Sequence, residues 1–251
     1  MSPELKRYVV VTCAILYREV CHCVAKSKNI VDIVVHEKGL HDLQSTKMTG
    51  ILQETIDKID HSKYDAILLC YGLCNNGLTN LHAPITMVLP RAHDCIALLL
   101  GSRKIYDEYF FDNPGTYFNS SGWLERNIST VDDEETIPQQ LGMDKSYESF
   151  VEEYGEENAE YLHSILGNWL SNYKKVAFIN NGMGDVEGNR LASQAFAKER
   201  DWEYEEVPGS ICLIEQLING SMSSWDENDF LIIPPGKKIA ATHDESIVTC
   251  L

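Results

Sequence analysis

The stretch YDAILLCYGLCNNGL at residues 64–78, followed by ITMVLPRAHDCIALLLGSRKIY at residues 85–106, decides how this chain is read. Ala66–Cys70 and Ile85–Leu89 are continuous apolar runs of strand length, each ending in turn-forming residues. Runs that are apolar throughout, rather than alternating, suit strands covered by helices on both faces. Similar runs recur at Tyr8–Ala14, Ile30–His36, Val176–Asn180, Glu203–Val207 and Phe230–Pro234. Helical spacing lies between them. Thr49–Ile59 places Ile51, Leu52, Ile56 and Ile59 on one side, and Ile96–Phe110, Gly188–Arg200 and Ile211–Gly220 read as further helices. Tyr147–Trp169 is a helical stretch interrupted by Gly155. Alternating strands and helices predict an α/β fold with largely parallel sheets.

Residues 112–142 break that rhythm with turn formers and acids, NPGTYFNSSGW and then VDDEETIPQQLG. A long irregular segment inside a compact fold is usually a functional excursion or a connection. The expected organisation is two Rossmann-like lobes, residues 1–111 and 145–251, joined by a connecting or lid segment at 112–144. One continuous doubly wound sheet carrying that segment as an insertion is the alternative.

Thiols crowd the strand ends. Cys70 closes an apolar run, Cys74 follows in a turn-rich C-x3-C, and Cys95 stands just past the next strand beside His93 and Asp94. Cys13 ends the first strand in the same way. Groups beyond the carboxyl ends of parallel strands are the ones that converge on ligands. Four thiolates, Cys13, Cys70, Cys74 and Cys95, would suit tetrahedral zinc or an iron–sulfur cluster, and three would leave a metal position open. Buried free cysteines that simply pack as small hydrophobes are the competing reading.

Arg91, His93 and Asp94 make a polar knot between strand and helix and are the candidate catalytic residues. Asp94 can cap the helix that follows or orient an imidazole, and Arg91 can hold an anion or sit in a surface ion pair. A catalytic Cys95–His93 pair without any cofactor is a further possibility. Asn180 and Asn181 end a strand in VAFINNGMGDVEGN, whose G-x-G-x3-G spacing is wrong for a dinucleotide loop, so hydrogen bonds to a substrate are expected of Asn180 instead. Cys21, His22 and Cys23 read as ordinary residues of the first helix, and Cys212 as a core residue of a later one.

Composition narrows the partners. The formal charge is −17, and residues 131–160 are densely acidic with Lys145 as their one cation. Such a surface repels phosphate backbones and anionic lipid, so neither nucleic acid nor membrane is an expected partner. No apolar run reaches the roughly 18–20 residues of a membrane span, and the N-terminus reads as a strand rather than a leader, which predicts a cytoplasmic protein. Eight cysteines in that setting point to metal binding or catalysis rather than to disulfides.

The segments CYGLCNNGL, PRAHDCIALLLGSRKIY and NPGTYFNSSGWLER closely resemble the DUF1638 family, a bacterial and archaeal domain of unknown function. The resemblance spans about residues 5–235. The family pattern matches Cys70, Gly72, Cys74, Asn76 and Gly77, then Arg91, His93, Asp94 and Cys95. It continues through Gly101, Ser102 and Arg103 to Pro114, Gly115, Thr116, Gly122 and Trp123. It implies a companion of corrinoid-dependent methyltransferase systems in anaerobes, and it places Tyr117 and Trp123 where an aromatic lid or cofactor-binding wall would be. The resulting expectation is a metal- or iron–sulfur-dependent enzyme in one-carbon metabolism, with a small molecule or corrinoid protein as partner. The rival expectations are a non-enzymatic metallochaperone for a methyltransferase system and a cofactor-free Cys/His hydrolase.

Overall fold

A computed structural model describes residues 5–126, 147–162 and 172–251. The fold is α/β. Its first sheet has the order β2-β1-β3-β4-β8, built from β1 (Arg7–Cys13), β2 (Ile30–His36), β3 (Ala66–Cys70), β4 (Thr86–Pro90) and β8 (Phe230–Ile233). The first four strands are parallel, and β8 closes the far edge antiparallel to β4. A second sheet, β5-β6-β7, is parallel throughout and comprises Thr116–Ser120, Lys175–Asn180 and Glu203–Pro208. The short strands β9 (Ile239–Ala241) and β10 (Val248–Cys250) form an antiparallel hairpin.

The apolar runs are buried because helices cover both faces of the first sheet. On one face, α1 (Tyr17–Lys26) and α9 (Cys212–Asn219) pack Val20, Leu213 and Leu217 over Tyr8, Val10, Leu68 and Val88. On the other, α2 (Ser45–Lys58) lays Met48, Leu52 and Ile56 on Val9, Val11, Ile67 and Met87. Every residue of β3 is buried, whereas β2, at the edge, is only partly so. Truncating a central side chain such as Leu68 removes apolar contacts that such a site cannot recover by collapsing.

All seven expected strands are present, with ends shifted by a residue or two. Sheet membership, however, does not follow the division of the sequence at residues 111 and 145. Strand β5 belongs to the second sheet, and the chain returns through α9 and β8 to complete the first. The segment expected to be irregular holds β5 and α5 (Ser121–Glu125), and its remaining residues, 127–144, lie outside the described residues. The helix expected over Ile96–Phe110 is two: α3 (Cys95–Leu100) and α4 (Arg103–Asp112). Gly101 ends α3 with a left-handed φ of 73°, and Ser102 caps α4. Gly155, with φ 79°, likewise separates α6 (Tyr147–Tyr154) from α7 (Glu156–Leu162). The last part of that expected helix, residues 163–169, lies outside the described residues. Between β6 and β7 runs α8 (Val186–Glu199).

The sheets meet where their chains leave the carboxyl ends of β1 and β5. A single 3-10 turn, Ala14–Leu16, follows β1 and packs against α5. The contact is so close that a Cβ on Gly122 would stand 1.8 Å from the Ile15 carbonyl oxygen, so only glycine fits. No helix among the described residues is long and apolar enough to cross a membrane.

Candidate functional site

Strand geometry sorts the thiols. Side chains alternate faces along a strand, so Val9, Val11 and Cys13 face α2, while Tyr8 and Val10 face α1. Cys70 is paired in register with Thr12 and packs with Leu68 and Cys23 on the α1 side. Cys13 and Cys70 therefore end adjacent strands but point to opposite faces of the sheet.

Two loops carry the other thiols to the Cys13 side. After β3, Tyr71-Gly72-Leu73-Cys74 runs beside Ala92-His93-Asp94, which follows β4. Leu73 N donates to Ala92 O at 2.8 Å and Cys74 N to His93 O at 2.9 Å. Gly72 makes this junction possible: a Cβ there would lie 2.5 Å from both Cα and N of Asp94. Cys74, Asn75 and Asn76 then turn left-handed, with φ of 43°, 54° and 61°. Gly77 N closes the turn on Cys74 O at 2.9 Å. Three consecutive non-glycine residues in this region are costly, and such strain collects at functional sites.

Asp94 organises the second loop. Its Oδ1 accepts from Ile96 N at 2.9 Å and Ala97 N at 3.4 Å, capping α3, and its Oδ2 accepts the Tyr106 hydroxyl at 2.9 Å. The cap sets Cys95 as the first residue of α3. The Tyr106 ring stacks on Phe110 one turn along α4 and lies 6.4 Å, centroid to centroid, from the His93 ring.

These elements border one cavity of about 630 Å³. Cys13, Cys74, Cys95, His93 and Asp94 line it, and Cys70 does not. Aromatic rings make up much of the wall. Tyr71, Tyr106 and Phe110 come from the first sheet's loops and α4, Tyr117 and Phe118 from β5, Trp123 from α5, and Tyr173 from just before β6. Tyr117 meets Tyr173 edge-on at 5.5 Å. Trp123 stands 5.9 Å from the His41 ring and carries the Lys38 ammonium 3.9 Å above its own ring.

Burial sets the chemistry of the thiols. It pushes Cys13 up, Cys74 to about 12 and Cys95 well above the ordinary thiol value. The Asp94 carboxylate adds to the rise at Cys74 and Cys95, as does any charge on Cys13. These thiols hold their protons unless something positive is placed among them. Tyr106 is also raised, by burial first and then by Asp94.

The donor set can be tested against the expected centres. Three thiols face one cavity, and the fourth, Cys70, is turned to the opposite face of the sheet. Among the described residues, no three His, Cys, Asp or Glu side chains are gathered closely enough to hold a single metal ion. Zinc, with Zn–S bonds of about 2.3 Å, would need its sulfurs within roughly 4 Å of one another. An iron–sulfur cluster is several atoms wide and holds its thiolates farther apart. The described residues therefore gather no site for a single metal ion, and what the three cavity-facing thiols share is the cavity itself.

The remaining candidates take other places. Arg91 is absent from the cavity wall. Its Nε donates to Glu227 O and its Nη1 to Ser246 O, both at 2.8 Å, and Nη1 also bonds Val248 O. It pins the segment leading into β8 and the β9–β10 hairpin to the end of β4. Arg91→Lys is therefore expected to lower stability by about 2–3 kcal/mol, because one ammonium cannot replace that fork of bonds. A fall in the urea midpoint with an unaltered cavity, followed by ligand titration, checks it. Asn180 is also outside the cavity: its Nδ2 donates to Glu206 at 2.8 Å and its Oδ1 accepts from Gly182 N at 2.8 Å, fixing the turn after β6. Cys212, expected in the core, is exposed at the start of α9. Cys250 is held in β10.

Sequence reasoning missed Tyr106, Phe110, Tyr173 and His41. The i, i+4 spacing of Tyr106 and Phe110 was visible, but without the break at Gly101–Ser102 it indicated no particular face.

Comparison with curated proteins and with solved structures found no match. A family model described as "Protein of unknown function (DUF1638)" matches residues 35–218, a span holding both cavity loops, β5 and Trp123. The chain belongs to the DUF1638 family.

Proposed function

We propose that the protein is an enzyme whose working centre is an iron–sulfur cluster held by the thiolates of Cys13, Cys74 and Cys95. The observation that carries this reading is that these three thiols, from three separate chain segments, face one cavity. A cluster held by three thiolates keeps one iron free of protein ligands, which supplies Lewis-acid chemistry to a bound substrate. The chain's own residues do the rest. Asp94 fixes Tyr106 through the 2.9 Å bond and sets the start of α3. His93, on the same wall, is placed to move a proton at its ring nitrogens. The aromatic wall excludes water from the reacting atoms.

The volume, about 630 Å³, is that of a small-molecule site and supports an enzyme over a metal carrier, which needs no such space. A cofactor-free Cys95–His93 hydrolase is disfavoured. A nucleophilic cysteine needs a lowered pKa, and burial with Asp94 pushes Cys95 the other way. An oxygen-sensitive centre fits a reducing cytoplasm and the one-carbon, corrinoid-linked metabolism implied by the family resemblance.

Anaerobic purification followed by iron and acid-labile sulfide analysis tests the proposal. Both are expected in wild-type protein. Cys13→Ser, Cys74→Ser and Cys95→Ser should each reduce bound iron at least tenfold, while Cys70→Ser should keep it. Because ligation must displace protons from raised thiols, reconstitution should weaken steadily as pH falls. Folded wild-type protein lacking iron and sulfide, or iron that survives all three cavity substitutions, would overturn the assignment.

A further inference from the structure

The composition of the cavity wall narrows what it can hold. Among the described residues that line it, seven are Phe, Tyr or Trp, and none is Lys or Arg. Asp94 is the one carboxylate among them. An anionic ligand would lose its hydration there and meet neither Lys nor Arg in return. The Lys38 ammonium, close to Trp123, is already engaged by that residue's ring and carbonyl, at 3.9 Å and 3.4 Å.

Asp94 offers charge with little acceptor capacity left over. Its oxygens are occupied by the Ile96 and Ala97 amides and the Tyr106 hydroxyl. Its carboxylate is nevertheless part of the cavity wall, with Oδ2 2.9 Å from the Tyr106 hydroxyl. An ammonium bearing N–H groups would find its acceptors only among the Tyr hydroxyls, Asn75, Thr116, Asn172 and two histidines, fewer than water supplies. A fully alkylated ammonium has no donors to satisfy. Its apolar methyl groups suit aromatic faces, and its charge suits their negative π-surfaces and the nearby carboxylate. The formal charge of −17 draws cations toward the protein as a whole.

From these observations we infer that the cavity is a binding site for a quaternary ammonium compound. Tyr71, Tyr106 and Phe110 form one part of the cage, Tyr117 and Tyr173 another, and Asp94 supplies the counter-charge. The inference rests on this cavity being the working site, but not on what its thiols hold.

Calorimetric titration of the purified protein separates the alternatives. The probes are choline, its neutral carbon isostere 3,3-dimethylbutan-1-ol, and the anion pivalate. Choline is expected to bind at least tenfold more tightly than the isostere, with pivalate weaker still. Tyr117→Leu and Phe110→Leu should each cost choline about tenfold, while Tyr117→Phe, which keeps the ring, should stay within about threefold. Asp94→Asn keeps a capping side chain and removes the charge, so it should weaken choline about tenfold and leave the isostere unchanged. Equal binding of choline and isostere would show an apolar pocket and overturn the inference, as would preference for pivalate or no binding by any probe. The same titration on Cys13→Ser protein keeps the two proposals apart. Choline binding by protein shown to contain no iron upholds the cage whatever becomes of the cluster. Iron without choline binding defeats the cage alone.

Discussion

Gly72→Ala is expected to destabilise the protein by about 3–5 kcal/mol and to abolish the proposed iron–sulfur centre. The added methyl would stand 2.5 Å from Asp94 Cα and N, which are backbone atoms with no rotamer to yield. Relief requires the loops after β3 and β4 to part. That breaks the Leu73 N–Ala92 O and Cys74 N–His93 O bonds, worth about 0.5–1.5 kcal/mol each, and adds the strain of overpacking. It also carries Cys74 away from Cys95 and disturbs the Asp94 cap. Gly50→Ala is the control, because a Cβ there meets nothing within 4 Å and lies inside α2. That change should stabilise by up to about 1 kcal/mol. Urea midpoints and iron content of the two variants give the answer. A Gly72→Ala protein as stable as wild type would show that the junction is looser than the contact implies.

The second large effect concerns a carboxyl group outside the cavity. Glu19, on the first turn of α1, is 1 % exposed, and its Oε2 has no hydrogen-bond partner among the described residues. Burial pushes its pKa up from the carboxylate range. The native state therefore holds the proton more tightly than the unfolded chain does. Above the unfolded value of about 4.3, the unfolded state ionises freely and gains relative to the native one, so stability falls as pH rises through the window up to the raised native value. Once the pH passes that raised value the whole penalty is present. Glu19→Gln keeps the shape and removes the charge, and it should raise stability at pH 7 by about 1–3 kcal/mol. The gain should fade as pH drops to about 4, where both states of the wild type are protonated. Denaturation curves at the two pH values decide the matter. A variant less stable than wild type at pH 7 would mean that the charge has a use.

The fold was largely legible because its strands are short, wholly apolar and separated by helical spacing, a pattern that few architectures besides a helix-covered parallel sheet produce. Strand β5 escaped because TYFNS is half polar and sits beside NPG, so turn chemistry outweighed a weak strand signal. Its polar side chains are in fact the buried ones, each with an internal partner: Thr116 donates to Asn113 O, Asn119 to Ser193 Oγ, and Ser120 Oγ accepts from Trp123 N, while Tyr117 and Phe118 are only partly buried. The site was legible in part. Cys13, Cys74, Cys95, His93, Asp94 and Trp123 do come together. Cys70 does not, and the reason is the pleat. In a strand covered on both faces every residue is apolar, so composition carries no trace of which face a given thiol takes. Only the register, Thr12 opposite Cys70, settles it. Arg91 looked like a binding residue because an arginine at a strand end usually meets a ligand or water. Its partners are carbonyls 136 to 157 residues away in sequence, beyond the reach of any local pattern.

The return of the chain to its first sheet has a consequence for biosynthesis. Pro90 ends β4, and its pairing partner Phe230 is 140 residues further on. At about 5–20 residues per second, the β4 edge stands open for roughly 7–28 seconds while the rest of the protein is made. During that interval the nascent chain presents an apolar strand with unpaired backbone groups, the form in which partly made proteins join one another. Assembly of the cavity must also wait, because its Tyr117 and Tyr173 walls are synthesised after its thiol loops. Maturation of this protein is thus a late event on a slow clock, and a chaperone that shields β4 would act before anything can bind in the cavity.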